Sequence, residues 1–148
     1  MAFINPPGLP IERGKIHEFA NSIESEEPLF HDEEAAKAAG LPSVVAPPTY
    51  TSTQAFFGEK DAPNFFKDLG LDLRYVLHGG QEYYYERPIF AGDVLTSEAG
   101  ETVASTKEGK RGGSMKVFDM YTNYKNQDGE LVLRIKNTLL QTAGVVKE

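Results

Sequence analysis

Apolar residues in the first part of the chain recur at the spacing of an α-helix. Within residues 11–23 (IERGKIHEFANSI), the apolar positions fall on one side of a helix: Ile11, Ile16, Phe19, Ala20 and Ile23. A shorter pattern covers residues 32–39 (DEEAAKAA), where Asp32 is a suitable N-cap, acidic residues fill the first turn and Gly40 can end the helix. These patterns predict two helices near the start of the chain.

A third helix is predicted to open at Pro47-Pro48 and to run to about residue 57. Proline suits the first helical position, because the N–H that it lacks would have no partner there. The following stretch, TYTSTQAFFG, carries no charged side chain, and Gly58 is a suitable stop. Since an exposed helix normally has a charged face, this helix is predicted to be buried.

From about residue 73 the pattern becomes that of β-strands. Four segments are rich in Val, Thr, Tyr and Phe, with partial alternation of apolar and polar positions: LRYVLHGGQEYYYERPI, DVLTSEAGETVASTKE, SMKVFDMYTNYKN and LVLRIKNTLLQTAG. The turn signals AGD, EGKRGG and NQDGE separate them. Strands joined by tight turns after a helical first part predict an α+β fold. We expect one domain over residues 1–148, with a curved antiparallel sheet packed against the helix at about 48–57.

Composition narrows the possible partners. The 148 residues carry 15 basic and 22 acidic side chains, and the net charge of −7 disfavours nucleic acid because phosphate binding needs a basic face. No apolar run approaches the ~18 residues of a membrane span, and the first residues lack the pattern of a signal peptide. The absence of cysteine excludes disulfides and is compatible with the reducing cytoplasm, where we expect the protein.

Three histidines are candidates for acid–base chemistry. His17 lies on the polar side of the first helix, where a solvated side chain is expected. His31 stands at the start of the second helix, so it could be a base or acid held by a carboxylate, or a loop residue bonded to helix-end amides. His78 precedes two glycines in a strand, and a ligand, a bulge or a subunit contact would each explain that placement.

Acidic residues crowd the segment before His31. Glu24, Glu26 and Glu27 would need desolvation and the correct aim to act on a substrate, and three acids within four residues more often form a solvated loop. No pair of histidines has metal-ligand spacing, so we expect no metal site.

Two further clusters of residues have either a functional or a structural explanation. The bases Lys107, Lys110 and Arg111 surround a turn and could meet the phosphates of an acyl carrier, or simply be solvated. In the run Tyr83-Tyr84-Tyr85, two rings share one face of a strand, which suits core packing, an interface or substrate contact.

Three separated blocks of sequence resemble the MaoC-like hot-dog dehydratases, in particular their N-terminal, fatty-acid-synthase-type subgroup. The blocks are HDEEAAKAAGLPSVVAPPTY, LHGGQEYYYERPIFAGDVL and QDGELVLRIKNTLL, and the resemblance spans about residues 11–142. It implies a hot-dog fold, an antiparallel sheet around a central helix. It also implies hydration of trans-2-enoyl thioesters, or dehydration of (3R)-3-hydroxyacyl thioesters, carried on coenzyme A or acyl carrier protein without a cofactor.

The resemblance also locates the catalytic positions of such enzymes. Active members carry D-x-N-P-x-H, whose Asp and His activate a water, and a helix-start segment like A-H-G, whose backbone N–H stabilises the oxyanion. Placed on Pro28, the Asp position falls on Ser25 and the His position on Phe30, with His31 displaced by one residue. The oxyanion amide falls on Pro48, which has no N–H.

The simultaneous loss of base, acid and oxyanion donor predicts a non-catalytic, substrate-binding subunit. It would pair with a separate catalytic hot-dog subunit and accept a long or bulky acyl group, such as a steroid side chain. Candidate substrate-binding residues lie on the central helix and the aromatic strand: Tyr50, Phe56, Phe57, Gln81 and Tyr83.

Two alternatives stay open at this level. In the first, a self-sufficient hydratase uses His31 with Glu24, Glu26 or Glu27, or uses His78. In the second, the chain binds acyl thioesters without any enzymatic partner.

Overall fold

The computed structural model describes residues 8–56, 65–108 and 113–142. In this part of the chain the α-helices are α1 (Arg13–Ser22), α2 (Glu33–Ala38) and α3 (Phe65–Asp68). The strands are β1 (Leu9–Pro10), β2 (Val76–Tyr85), β3 (Val94–Glu108), β4 (Ser114–Lys125) and β5 (Leu131–Thr142). Short 3₁₀ helices cover Pro28–Phe30, Tyr50–Phe56 and Leu73–Tyr75.

The strands form one five-stranded sheet in the order β1-β3-β4-β5-β2. Short connections join β3 to β4 and β4 to β5, and neighbours connected so tightly can only be antiparallel. β1 also runs antiparallel to β3, with Leu9 opposite Leu95. The four predicted long strands are confirmed. β1 was not predicted, because two residues are too few to display a period.

Both predicted N-terminal helices are present. Ile16 and Ala20, on the apolar side of α1, are fully buried, while Ile23 just beyond the helix is 48% exposed. At α2 the Asp32 carboxylate accepts hydrogen bonds from the backbone N–H groups of Glu34 and Ala35, as an N-cap does. Gly40 follows with a φ of 83°, a left-handed conformation that glycine adopts without strain.

The central helix differs from its prediction in its start and its winding. It covers Tyr50–Phe56 as a 3₁₀ helix, and its first turn shows the bond from Tyr50 N to Pro47 O at 2.9 Å. The Thr53 hydroxyl donates to the carbonyl oxygen of Tyr50, and such hydroxyl bonds compete with regular α-helical bonding. Tyr50 and Thr51 are buried, which agrees with the expected burial, whereas positions 57 and 58 lie outside the described residues.

One side chain ties the central 3₁₀ helix to two neighbouring strands. The Gln54 carbonyl oxygen accepts from the Tyr124 hydroxyl of β4 at 2.7 Å. Its amide nitrogen donates to the Ser97 hydroxyl of β3 at 2.6 Å. Both halves of the amide are therefore used.

The contacts of the chain divide it into two compact units. The first comprises Met1–Glu59, Tyr85–Ser97 and Tyr124–Leu133, and the second comprises Lys60–Tyr84, Glu98–Asn123 and Arg134–Glu148. The first unit contains α1, α2 and the central 3₁₀ helix. Its most deeply buried side chains include Leu9, Ile16, Val44, Ile89, Leu95 and Leu133. A single domain over residues 1–148 stays a prediction.

In the second unit, polar contacts cross between strands. Lys136 of β5 pairs with Glu82 of β2, and Arg134 of β5 pairs with Glu101 of β3 at 2.9 Å. The hydrogen bond from Lys136 lowers the pKa of the Glu82 carboxyl. None of the helices within the described ranges has both the length and the apolar character that crossing a bilayer requires.

Candidate functional site

Three segments of the first unit meet around the 3₁₀ turn Pro28–Phe30. The backbone N–H of Val45 donates to Leu29 O at 2.9 Å, which joins this turn to the segment before the central helix. Ala46 N then donates to Ile89 O at 2.8 Å, and Ala91 N to Val44 O, which adds the segment after β2. These backbone bonds place residues far apart in sequence around one space.

That space is a cleft of about 390 Å³, within the size range of small-molecule sites. Most of its lining side chains are apolar: Phe30, Val45, Ala46, Pro48, Pro88 and Ile89. Tyr85, Glu86 and Arg87 complete it. An apolar surface of this kind suits a hydrocarbon chain more than a polar reactant.

Two of the three polar lining residues already have partners. The Tyr85 hydroxyl donates to Pro48 O at 2.5 Å. Arg87 makes a bidentate ion pair with the buried Asp93, with both N–O distances at 2.9 Å, and the hydrogen bond to Asp93 raises the pKa of the guanidinium. Glu86 is exposed to solvent. The described lining therefore brings no buried acid–base pair into the cleft.

His31 lies on the other side of the same turn, against a polar hollow of about 480 Å³. Charged residues of α1 and α2 line this hollow, and several are paired among themselves. Glu33 accepts from Lys37 at 2.9 Å and also pairs with Arg13. The hydrogen bond from Lys37 lowers the pKa of the Glu33 carboxyl. The displacement by one residue relative to Phe30 thus turns the imidazole away from the apolar cleft.

Both ring nitrogens of His31 are engaged in a chain of hydrogen bonds. Its Nε2 lies 2.7 Å from Ser25 O, and its Nδ1 lies 2.8 Å from Nδ1 of His17. The Nε2 of His17 lies 3.1 Å from the Asn21 amide nitrogen. Because a carbonyl oxygen only accepts, Nε2 of His31 carries the proton. The consistent assignment has Asn21 donating to His17, His17 to His31 and His31 to Ser25.

The three positions expected to be degenerate are distributed unequally around the cleft. Phe30 and Pro48 both line it. Ser25 is half-buried and is not in the described lining. Its hydroxyl accepts from Glu27 N at 3.4 Å, and its carbonyl oxygen accepts from the His31 ring.

Among the predicted substrate-binding residues that the structure describes in this unit, Tyr50 does not lie in the described lining of this cleft. Tyr50 is 3% exposed and its ring packs edge-on against Phe19, with 5.4 Å between centroids. Burial raises the pKa of the Tyr50 phenol. The side chain of Phe56 and the whole of Phe57 lie outside the described structure.

The remaining candidates belong to β2 in the second unit. Gln81 and His78 are exposed, and Tyr83 is half-buried, with burial raising the pKa of its phenol. Elsewhere, Glu24, Glu26 and Glu27 are exposed, as the solvated-loop interpretation predicts. Lys107 is also exposed, whereas positions 110 and 111 lie outside the described residues. Within the described ranges, no cluster of three or more His, Cys, Asp or Glu could hold a metal ion.

Sequence reasoning missed three features of this region. His17 is exposed, as predicted, but its pairing with His31 was not predicted. The spacing of four residues between His17 and Asn21 on one helix could have indicated their hydrogen bond. The Arg87–Asp93 pair and the Tyr85 bond to Pro48 have no periodic signature, because each depends on the path of a loop or on a distant segment.

Comparisons with known proteins agree with the fold. The chain is similar to the UPF0336 protein of Saccharopolyspora erythraea, with 38% identity over 134 residues, covering 90% of this chain and 82% of that protein. A UPF0336 protein of Streptomyces coelicolor is also 38% identical, over 93% of this chain and 89% of its own length.

Solved structures show the same architecture. The C-terminally truncated HadBC (3R-hydroxyacyl-ACP dehydratase) complex of Mycobacterium tuberculosis contains a chain with a TM-score of 0.66 and 28% identity, covering 91% of this chain and 90% of that one. A MaoC-like dehydratase gives a TM-score of 0.70 at 24% identity, over 94% of this chain and 40% of that one. The ChsH1-ChsH2 complex of Mycobacterium tuberculosis gives a TM-score of 0.65 at 23% identity, covering 93% of this chain and 82% of that one.

These neighbours confirm the hot-dog fold and the resemblance to MaoC-like dehydratases. The sequence model of the FAS1-like, dehydratase domain region matches residues 2–135, which is most of the chain. The protein belongs to the FAS1-like dehydratase family of hot-dog proteins.

Proposed function

We propose that this chain is the substrate-binding, non-catalytic subunit of a heteromeric (R)-specific enoyl-thioester hydratase or (3R)-hydroxyacyl-thioester dehydratase. Its cleft would hold the acyl chain, while a catalytic hot-dog partner carries out the proton transfers. The substrate class would be a long or bulky acyl group on coenzyme A or acyl carrier protein.

The observation that carries the proposal is the lining of the cleft. Phe30 and Pro48, at the expected histidine and oxyanion-donor positions, both face this apolar space. A phenyl ring cannot transfer a proton, and a proline nitrogen cannot donate a hydrogen bond. Tyr85 donates to the carbonyl oxygen of the same Pro48, so the backbone here presents an engaged acceptor where an oxyanion needs a donor.

The comparisons support the part of the proposal that concerns assembly. The HadBC neighbour, at 28% identity, is described as a complex and as a (3R)-hydroxyacyl-ACP dehydratase. The ChsH1-ChsH2 likeness, at 23% identity, supports the fold alone.

The edge of the sheet offers a place for the partner. β2 ends the strand order, so among the strands of the described residues it has a neighbour on one side only. Leu77 and Tyr84 on this strand are 55% and 46% exposed. Edge strands readily accept another strand, so two sheets could join through them.

Dependence on a partner tests the proposal. The purified chain should not hydrate crotonyl- or longer trans-2-enoyl-coenzyme A. Co-expression with a hot-dog protein that retains D-x-N-P-x-H should yield a complex that turns over long-chain substrates faster than the partner alone. Efficient turnover by this chain alone would overturn the proposal.

The self-sufficient alternative requires His31 to reach the substrate. The ring of His31 instead lines the polar hollow, and both its nitrogens have partners. Under our proposal, His78→Ala leaves the turnover number of the assembled enzyme within about twofold, and His31→Ala changes it by less than about tenfold. A loss of more than about tenfold would return that histidine to the mechanism, since removal of a general acid or base typically costs 10²–10⁴-fold.

A partner-free acyl-thioester binder remains the second class of function. It predicts acyl binding without any gain of hydratase activity from a catalytic hot-dog protein. The same co-expression experiment separates it from the heteromeric enzyme.

A further inference from the structure

We infer that Phe30 is a specificity-determining residue that limits the length of acyl chain accepted by the cleft. The inference rests on the proposed acyl-binding function of the cleft. It goes further by assigning Phe30 a positive role, beyond the absence of a catalytic histidine.

Phe30 lines the same apolar cleft as Pro48 and Ile89. Phe30 is half-buried, so part of this residue stays accessible where it lines the cleft. An apolar chain that enters the space therefore meets an aromatic face at this wall. Each methylene removed from water adds about 0.8 kcal/mol of affinity, and the gain stops where the wall blocks further burial.

The backbone of Phe30 is held by its own turn. Its N–H donates to Glu27 O at 3.0 Å, and the next N–H, of His31, donates to Pro28 O at 3.1 Å. The carbonyl oxygen of Leu29, immediately before it, accepts from Val45 N. Displacement of the wall would break several of these bonds together.

The histidine pair anchors the same turn from its other side. His31 is bonded through its ring to Ser25 and His17 and faces the polar hollow, while the adjacent Phe30 faces the cleft. Rotating Phe30 out of the cleft by moving the backbone would pull His31 from both partners. We therefore assign His31 the role of a positioning residue for the Phe30 wall.

Binding of a series of acyl chains tests the wall. The probes are butyryl-, octanoyl-, dodecanoyl- and palmitoyl-coenzyme A, titrated calorimetrically into the full chain or its complex with the catalytic partner. In the wild type, affinity should rise with chain length and then level off. Phe30→Ala should move this plateau to longer chains. For each additional methylene that the variant accommodates, its Kd should fall by about fourfold.

Three further variants separate the wall from a general loss of structure. Phe30→Leu keeps an apolar side chain and should move the plateau in the same direction by less, which preserves the test if the alanine variant does not fold. Phe118→Leu, at a buried β4 position that is not part of the cleft lining, should leave the chain-length profile unchanged. His31→Ala should broaden the profile, and combining it with Phe30→Ala should add nothing further.

The outcomes distinguish the two levels of inference. Equal changes in Kd for all chain lengths in Phe30→Ala and Phe30→Leu would overturn the role of Phe30 while leaving acyl binding intact. No binding of any probe, by the wild-type chain or its complex, would overturn the proposed function and this inference together.

Discussion

The loop after β2 depends on one buried carboxylate. Asp93 is 2% exposed and accepts from both terminal nitrogens of Arg87 and from the backbone N–H of Phe90. The guanidinium also lies over the Phe90 ring, 4.6 Å from its centroid. A buried charge is tolerated only when it is paired and hydrogen-bonded, so this arrangement fixes the loop whose residues 86–89 line the cleft.

Removing the cation should therefore be costly. Arg87→Met leaves Asp93 buried with a single backbone donor, and we expect a loss of about 3 kcal/mol in the free energy of unfolding. Urea denaturation at neutral pH measures it. Arg74→Met is the matched control, because Arg74 pairs with Asp72 at an exposed site and its loss should leave the urea midpoint nearly unchanged. Equal effects of both substitutions would contradict the assigned role of the buried pair.

Tyr50 links stability to alkaline pH. Burial raises the pKa of its phenol in the folded state above the ordinary value of about 10. The contribution is fully present below about pH 10, where both states are protonated, and it is lost as the pH rises through the folded pKa. Tyr50→Phe should lose less stability than the wild type between about pH 9 and 11. Parallel urea midpoints for both proteins across this range would contradict the prediction.

At the scale of elements, the central 3₁₀ helix depends on tertiary contacts. A single turn or two of 3₁₀ helix has weak intrinsic stability, because its hydrogen-bond geometry is poor. Gln54 compensates by bridging Tyr124 of β4 and Ser97 of β3. The sequence predicts a buried, uncharged helix here, and the hydroxyl-rich stretch in its middle explains why regular α-helical winding does not form.

Gln54→Ala tests this bridge. The substitution removes two hydrogen bonds, one of them with the buried Tyr124, so we expect a loss of about 2 kcal/mol. Gln81→Ala, at an exposed position of β2, is the matched control and should change stability by less than about 0.5 kcal/mol. Urea midpoints of the two variants provide the comparison, and a Gln54→Ala midpoint equal to that of the wild type would contradict it.

At the scale of the whole molecule, an edge strand and an apolar cleft are left open. β2 is the last strand of the sheet in the part of the chain that the structure describes, and it carries exposed Leu77. Family membership adds that the fold is one used by dehydratases, and the HadBC neighbour is described as a complex. Assembly through β2 is the arrangement that our proposed function expects.

Leu77→Lys should prevent this assembly without unfolding the chain. A charge at the edge opposes strand pairing, whereas an exposed side chain contributes little to the folded monomer. Light scattering of the protein co-expressed with a catalytic partner should show the wild-type complex and a dissociated variant. Leu131→Lys, 41% exposed at the start of β5, is the control and should assemble normally. Undiminished assembly of Leu77→Lys would exclude this position from the interface.

The order of α1, α2 and the four long strands follows from the residues alone, as does the chemistry of the critical positions. Periodicity alone predicted α1, α2 and the four long strands, because an amphipathic element displays its buried face in its own residues. A phenylalanine at position 30 and a proline at position 48 lack a titratable group and an N–H in any fold.

Which of these residues come together depends on the folded chain. It placed Phe30 in an apolar cleft and turned the adjacent His31 to a polar hollow, where His17, 14 residues earlier, meets its ring. It also revealed that Tyr50 packs inside the protein, apart from the lining of the cleft. Local patterns encode the face of each element, whereas contacts between distant residues depend on the path of the connecting loops. That path is fixed here by backbone hydrogen bonds such as Val45 to Leu29 and Ala46 to Ile89.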